Sequence, residues 1–448
     1  MEPATKPFSR SSLETNLISI ISLGSRISQF IGYFPMSISK TNDGTKFTFS
    51  WATLPIFSSL AVLAFQIFLI AHYFSFGGKI TTMYNLTRST EQLAFNVTGV
   101  LICFQVMFKI SVHLLNAKRM LSYWDSLVTD FNQISSSDIS GNFVISLEPW
   151  AKHGQIFRSL RASVRHTVLG SLALIFTLIA HIFTMFCILH TFFKDKLPGG
   201  FTFQERATGM LAVVAWNIMG SLNVFQSIWI TFPIQVMNAC LEMIVTELSE
   251  FNESEKLRKG GGDLFLTRIS PLLKEKNNSI VKVTKFLDEE KLHLCILNYH
   301  RVVQILRKHE SVVGNGIAFE VGYNSLLILA YLFIGIIWAA SGQFVTGLSR
   351  LIPIILCAKI MYHLGTEAGK LDSNRKAVLR VMCRMRKSWM SGDTKDAVFG
   401  MIHELSGDKL KFQAGEYFAL NRRLLTSIFS AVLTFLVVLV QFRDGERK

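Results

Sequence analysis

The chain has 448 residues, of which 50% are hydrophobic and 12% aromatic, and its mean hydropathy is +0.36. This composition excludes a soluble domain of the same length and predicts a protein of the lipid bilayer. The formal net charge is +15, but the lysines and arginines lie between apolar segments rather than in one basic domain, so they predict loop orientation in a membrane and not binding to nucleic acid.

The N-terminal segment is expected to be retained in the cytoplasm. Its apolar run, residues 17–34, is interrupted by Ser, Arg and Gln and lacks a small-residue cleavage site, so it does not have the pattern of a signal peptide. We expect residues 1–50 to form a cytoplasmic segment with an amphipathic helix. The six cysteines of the chain are scattered without a metal-ligand spacing, which predicts neither a disulfide framework nor a zinc site.

Seven apolar stretches are long enough to cross the hydrocarbon core, which requires about 20 residues of helix. Each must be helical because unpaired backbone amides are not tolerated against lipid. The second stretch carries Lys109 and the fourth carries Trp216 and Asn217, so both are expected to face protein. The predicted spans are residues 51–74, 89–114, 167–192, 207–233, 317–340, 344–364 and 424–442.

The distribution of positive charge predicts the direction of the spans. Outside them, roughly 35 lysines and arginines fall on the N-terminal side and about 8 on the other, which places the N-terminus in the cytoplasm and the C-terminus outside. This is the reverse of a G-protein-coupled receptor, so no G protein partner is expected. Asn85, in the sequon Asn85-Leu86-Thr87, falls in the first outer loop and is a candidate for glycosylation unless the sequon is a chance match.

The segments between the spans are predicted to be helical extensions rather than separate domains. Residues 116–131 and 286–313 keep apolar side chains at helical spacing beyond the second and before the fifth span. Residues 377–405 are amphipathic and could pack subunits together below the membrane. The glycines at 260–262 are predicted to be a flexible joint, because no strand precedes them and no Gly-Lys-Ser/Thr follows.

No catalytic arrangement is found in the sequence. Membrane-embedded enzymes need paired acids or histidine boxes, and Glu91 and Glu320 are expected to stand alone within their spans. His190, on the third span, has no second metal-ligand residue at helical spacing and is expected to pack or to line a pocket. We therefore expect no enzyme activity, no metal and no cofactor.

The last span carries the most informative pattern in the chain. It ends on Thr434-Phe435, five apolar residues and Gln441-Phe442, and this ending predicts either a pore or an interfacial helix end with an aromatic belt residue. Together with residues 411–423, it resembles the C-terminal signature of insect gustatory receptors: Thr-Tyr, five apolar residues and Gln-Phe. Phe435 stands in the place of the tyrosine. Residues 32–35 and 47–51 are also similar to the family's entry into its first span.

The resemblance implies an all-α polytopic membrane protein with seven transmembrane helices in inverted orientation. It implies a tastant-gated, non-selective cation channel of the plasma membrane, surrounded by lipid, that assembles as a homotetramer or as a heterotetramer with related receptors. The seventh helix would line the central pore, with Gln441 and Phe442 at the gate and Val438 one turn before. Residues 51–366 would hold the first six spans and the ligand pocket, 367–423 cytoplasmic anchor helices, and 424–448 the pore helix and a short outer tail.

Ligands of the family enter from outside into a pocket among the outer halves of the second to sixth spans. Arg350 is the most informative candidate because a charge within a span normally faces a cavity or a partner, and Glu91 is its expected partner. A plain link between helices is the alternative role for this pair. The polar and aromatic candidates at that depth are Glu91, Asn96, His190, Trp216, Tyr331, Trp338, Gln343 and Arg350.

The class of ligand stays open in the sequence. Sugars need many directed hydrogen bonds and an aromatic platform, whereas bitter compounds need an adaptable apolar cavity. Leu436 occupies the place of a glutamate that is usual in the sugar-receptor branch, while residues 32–35 favour that branch weakly. An odorant-receptor-like subunit and a membrane transporter are the alternative functions, although no internal repeat of the transporter kind is present.

Overall fold

The computed structural model describes the chain as helical, with two short antiparallel hairpins. The described residues are 29, 37–41, 44–49, 53–83, 89–135, scattered positions between 160 and 183, 229–252, 271–342, 344–385, 387, 390–407 and 410–445. The described helices are α1 (Leu54–Met83), α2 (Ser89–Leu115), α3 (Ala117–Ser135), α4 (Trp229–Asn252), α5 (Pro271–Ala340), α6 (Phe344–Ser349), α7 (Leu351–Arg384), α8 (Gly392–Gly407) and α9 (Arg422–Gly445). The strands are β1 (Ser37–Thr41) paired with β2 (Gly44–Thr48), and β3 (Gln413–Ala414) paired with β4 (Phe418–Ala419).

The all-α membrane fold predicted from the sequence is confirmed. Helix α2 begins at the predicted residue and ends one residue later, α5 ends where the fifth span was predicted to end, and α9 contains the whole predicted seventh span. Within the described residues, four helical segments are long and apolar enough to cross a membrane, and they lie in α4, α5, α7 and α9. The hairpin β1–β2, which packs near α3, was not foreseen in the sequence.

Several predicted features differ from the structure or lie outside the described residues. The sixth span predicted over residues 344–364 is helical, with one turn residue, Arg350 (φ −70°, ψ −13°), between α6 and α7. Most of the third span, the fourth span before Trp229, the glycines at 260–262 and the Asn85 sequon lie outside the described residues.

Helix α5 is the central element of the fold. It has 70 residues, so it is about 105 Å long at the rise of an α-helix, and it contacts α2, α3, α6, α7, α8 and α9. The predicted extension over 286–313 is confirmed, because α5 runs through it without a break. The extension over 116–131 is also helical, but Asn116 separates α2 from α3, and its Nδ2 donates to the carbonyl oxygen of Val112 at 2.9 Å.

Below the predicted spans, a buried histidine connects three helices. The Tyr123 hydroxyl of α3 donates to Nδ1 of His309 at 2.7 Å, and Nε2 of His309 donates to the carbonyl oxygen of Ile230 in α4 at 3.2 Å. Because Nε2 donates to a carbonyl oxygen and Nδ1 accepts from the tyrosine, both ring nitrogens have one defined role. This core holds α3, α4 and α5 in one fixed arrangement.

The amphipathic segment at residues 377–405 packs within the chain itself. The structure divides it into the end of α7 and the helix α8, and Arg375 joins them by donating to the carbonyl oxygen of Leu405 while it also pairs with Asp372. The apolar face expected to pack subunits together is therefore already covered inside one chain. Its buried members are Val378, Met382, Val398, Met401 and Leu405.

Candidate functional site

The segment before the last helix attaches that helix to α5. The backbone N–H of Gln413 donates to the carboxylate of Glu310 at 2.7 Å. A Cβ added at Gly314 would lie 2.8 Å from the nitrogen of Gly415, which itself has φ +60°, so neither position has room for a side chain without distortion. Asn421 then caps α9, because its Oδ1 accepts from the N–H of Leu424 at 2.8 Å. Residues 411–423 thus fix where α9 begins.

Helix α9 is highly apolar but poorly covered by its own chain. Only 17% of its most apolar 18-residue stretch is buried, whereas 83% of the corresponding stretch of the less apolar α4 is buried. The helix packs through one stripe at helical spacing, formed by Leu425, Val432, Leu436 and Arg443. Leu436 enters a cluster with Phe333, Ile334, Ile337 and Trp338 of α5.

The predicted gate residues lie away from the buried stripe. Val438 is 39% exposed, Phe442 is 66% exposed, and Gln441 is exposed. At 100° per residue, Thr434, Val438 and Gln441 are centred opposite the stripe, and Phe442 adjoins them. The face that carries the signature residues, including Phe435 at 61% exposure, is therefore the face that this chain leaves uncovered.

An ion pair joins the outer end of α9 to the start of α2. Nε of Arg443 lies 2.9 Å from Oε1 of Glu91, and the two side chains are only 9% and 7% exposed. The expected pairing of Glu91 with Arg350 is therefore wrong. Arg443 was missed in the sequence because it follows the last span and resembles an ordinary tail charge. The predicted topology could have indicated the contact of Arg443 with Glu91, because the second span begins and the seventh span ends on the same side of the membrane.

Arg350 instead lies over the indole of Trp338, with its guanidinium carbon 4.3 Å from the ring centroid. This contact is made possible by a close crossing of α5 and α6, where a Cβ added at Gly347 would lie 2.6 Å from the carbonyl oxygen of Gly335. The chain reverses between these helices at Gly342, which has φ +83°. The close crossing brings a cation and a buried aromatic ring together near the turn in the sixth span.

A second ion pair lies between α2 and α5. Nζ of Lys109 is 2.6 Å from Oε2 of Glu320, at side-chain exposures of 2% and 4%, and Nδ2 of Asn324 donates to Oε1 of the same carboxylate at 3.0 Å. The expectation that Lys109 faces protein is confirmed. Glu91 and Glu320 thus each pair with a basic side chain, Arg443 and Lys109. In the part of the chain that the structure describes, no group of three or more His, Cys, Asp or Glu side chains could hold a metal ion.

The structure brings together some members of the predicted pocket. Trp338 and Arg350 touch, and Tyr331, two turns before Trp338 on α5, is buried at 4% exposure. Glu91 is bound to α9 through Arg443. Asn96 lies in α2, but its side chain is outside the described part of the chain, as are His190, Trp216 and Gln343 entirely. The pocket as a whole stays a prediction.

The Trp338 and Arg350 pair is expected to affect ligand sensitivity. Arg350→Ala and Trp338→Ala should each raise the half-maximal ligand concentration at unchanged surface amount, because each removes one half of the cation–π contact at the predicted pocket. The measurement is a dose-response curve with surface labelling of a tag. Arg350→Lys is the matched control, since it keeps the charge and should lose less sensitivity than alanine. Unchanged sensitivity would assign this pair a purely structural role.

The chain matches known proteins over nearly its whole length. The family model described as 7tm chemosensory receptor matches residues 21–446. No curated protein sequence matches the chain. Among solved structures, the insect olfactory receptor OR5 from Machilis hrabei is similar with a TM-score of 0.62 at 12% identity, covering 96% of this chain and 99% of that chain. The same receptor in complex with eugenol gives a TM-score of 0.64 at the same identity and coverage.

Proposed function

The chain belongs to the 7tm chemosensory receptor family, and from this premise we propose that it is a gustatory receptor, a tastant-gated non-selective cation channel. The family is one of receptors and not of enzymes, and the chain is a multi-pass membrane protein. The observation that carries the channel proposal is α9, the most apolar of the described candidate spans and the least covered by its own chain. The uncovered face of a membrane helix meets either lipid or other subunits, and the polar Gln441 on this face favours neighbouring subunits around a water-filled pore.

A tetramer supplies those neighbours. Four copies of α9 around a central axis would place Val438, Gln441 and Phe442 of each subunit toward a common pore, because these residues lie away from the stripe that packs on α5. A ring of phenyl groups at the outer end closes such a pore by excluding water, and a ring of amides beside it contacts the permeating ions. The same geometry is open to a homotetramer or to a heterotetramer with related receptors.

The ligand is proposed to be a small-molecule tastant that enters from outside. Trp338 and Tyr331 are buried aromatic side chains, and Arg350 lies over the Trp338 ring; a pocket that opened beside them would suit either a sugar on an aromatic platform or a flat bitter compound. The similar olfactory receptor OR5 was solved in complex with eugenol, and this supports a small organic ligand for the present chain. A calcium-imaging screen against sugars and bitter alkaloids would distinguish the two classes.

The likeness to OR5 also favours a second candidate function. A chain with this fold could be an odorant-receptor-like subunit that conducts only beside a co-receptor. Odorants and tastants share the requirement for a pocket, so the C-terminal signature, with Thr434, Gln441 and Phe442 at the gustatory spacing, is what favours the gustatory function.

Patch recording of cells that express the chain alone tests the proposal. Ligand-dependent unitary currents on the order of picoamperes would establish a channel, because a carrier moves too few ions per cycle to give resolvable steps. Currents that appear only with a co-receptor would favour the odorant-receptor-like subunit. Ligand-dependent uptake without unitary steps would favour a transporter, and cells without the chain give the baseline.

The inverted topology is tested by epitope tags. A tag after Lys448 should be stained on intact cells, whereas a tag before Glu2 should be stained only after permeabilisation. The charge asymmetry predicts this result, and the contact of Glu91 at the start of α2 with Arg443 at the end of α9 places these two ends on the same side of the membrane. The reverse staining pattern would contradict both the orientation and the channel proposal.

A further inference from the structure

The ion pair between Glu91 and Arg443 connects two helices next to the proposed gate. Arg443 directly follows Gln441 and Phe442, but it belongs to the buried stripe of α9, while those two residues lie on the exposed face. Its partner Glu91 lies in the first turn of α2. The contact therefore connects the outer end of the proposed pore helix to a helix of the proposed pocket.

This contact differs in kind from the rest of the packing of α9. In its inner half and middle, the helix packs through the apolar side chains of Leu425, Val432 and Leu436. The 2.9 Å contact of Arg443 with Glu91 is charge-assisted and almost fully desolvated, so separating the two groups leaves buried charges that need new partners. The outer end of α9 is thus held in discrete positions rather than in a continuum.

A replacement partner for Arg443 is present on α9 itself. Nη1 of Arg443 lies 3.8 Å from Oδ1 of Asp444, whose side chain is 55% exposed. Because Asp444 moves with the helix, the guanidinium can leave Glu91 and keep a carboxylate neighbour. Among the residues that the structure describes, the arginine therefore has an acidic neighbour on α2 and another carried by α9, which is the arrangement that a two-position element requires.

We propose that Glu91, Arg443 and Asp444 form a gating latch. The Glu91 contact holds the outer end of α9 against α2, and release of Arg443 toward Asp444 accompanies displacement of the gate residues. Arg443 is thus a positioning residue, which acts on the gate through Phe442 rather than by touching the ligand. This proposal rests on the proposed function, because it requires α9 to line the pore.

The experiment measures the half-maximal ligand concentration and the surface amount of five variants in recorded cells. Glu91→Gln and Arg443→Gln should each shift that concentration at least five-fold and in the same direction, because both release the same contact. Asp444→Asn should shift it in the opposite direction, because it removes the partner of the released arginine. Exchange of the two residues, Glu91→Arg with Arg443→Glu, should return the value toward that of the natural chain. The half-maximal ligand concentration of Arg443→Lys should lie between those of the natural chain and of Arg443→Gln.

Each result decides between defined alternatives. Unchanged sensitivity in Glu91→Gln and Arg443→Gln, or opposite shifts between them, would overturn the latch while the channel stands. If Glu91→Gln and Arg443→Gln fail to reach the surface, the test passes to Asp444→Asn. The Asp444 side chain is exposed, so this variant should fold and reach the surface. Unchanged ligand sensitivity in Asp444→Asn would then overturn the latch. If the natural chain reaches the surface and gives no ligand-dependent unitary current, the proposed function fails, and the latch fails with it.

Discussion

Replacing Phe442 with alanine or serine is expected to give cation current in the absence of ligand. Phe442 is 66% exposed at the outer end of α9, and a hydrophobic constriction that closes by excluding water should leak when it is made wider or more polar. The measurement is holding current in cells without ligand, at matched surface amount. Gln441 substitutions should change ion permeation or block more than they change ligand sensitivity.

Leu433 provides the matched control for Phe442. It is also apolar and 58% exposed on α9, but nine residues of helix place it half a turn around the axis from Phe442. Leu433→Ala should therefore give no current without ligand. If Leu433→Ala and Phe442→Ala leak equally, the effect would come from general loosening of the helix and not from a gate.

Cysteines at positions 438, 441 and 442 test the same face directly. A water-soluble thiol reagent should modify them faster in the presence of ligand, whereas a cysteine at 433 should show no dependence on ligand. One common, ligand-independent rate at all three positions, together with unaltered currents, would show that α9 does not line the pore.

Removing one partner of the Lys109 and Glu320 pair is expected to cause a large loss of stability. Lys109→Leu or Glu320→Leu leaves an uncompensated charge at a site where both side chains are below 5% exposed, which lowers the free energy of unfolding by about 3–5 kcal/mol. The amount of receptor at the surface should fall strongly in each single variant. The double variant should recover much of it, because two apolar side chains of similar length leave no buried charge.

The pair of Lys376 with Asp372 is the control for this prediction. Its nitrogen and oxygen are 2.7 Å apart, but the lysine side chain is 60% exposed, so Lys376→Leu should change the free energy of unfolding by about 0–1 kcal/mol. Equal losses at Lys109 and Lys376 would show that burial does not control the effect. A double variant as poorly expressed as the single variants would show that Lys109 and Glu320 have roles beyond neutralising each other.

The contacts of Arg350 with Trp338 and of Arg443 with Glu91 could not be predicted from the sequence. Arg350 and Glu91 were both recognised as charges that need partners, since a charge within a span is costly. Which partner each one takes depends on how α2, α5, α6 and α9 cross. The close approach at Gly335 and Gly347 directs Arg350 onto Trp338, and the stripe of α9 directs Arg443 onto Glu91.

The sequence by itself determined the membrane class, the bounds of the second span to within one residue, the end of the fifth span, and which side chains of α9 share a face. These follow from local properties: the bilayer demands about 20 apolar residues per crossing, and a period of 3.6 residues decides which side chains share a face. The tertiary structure alone decided the turn at Arg350, the burial of the face at 377–405 within one chain, and the pairings of Lys109 with Glu320 and of Arg443 with Glu91. The last pair is separated by 352 residues, and no local pattern encodes such a contact, because its energy depends on desolvation by helices that meet only after the chain has folded.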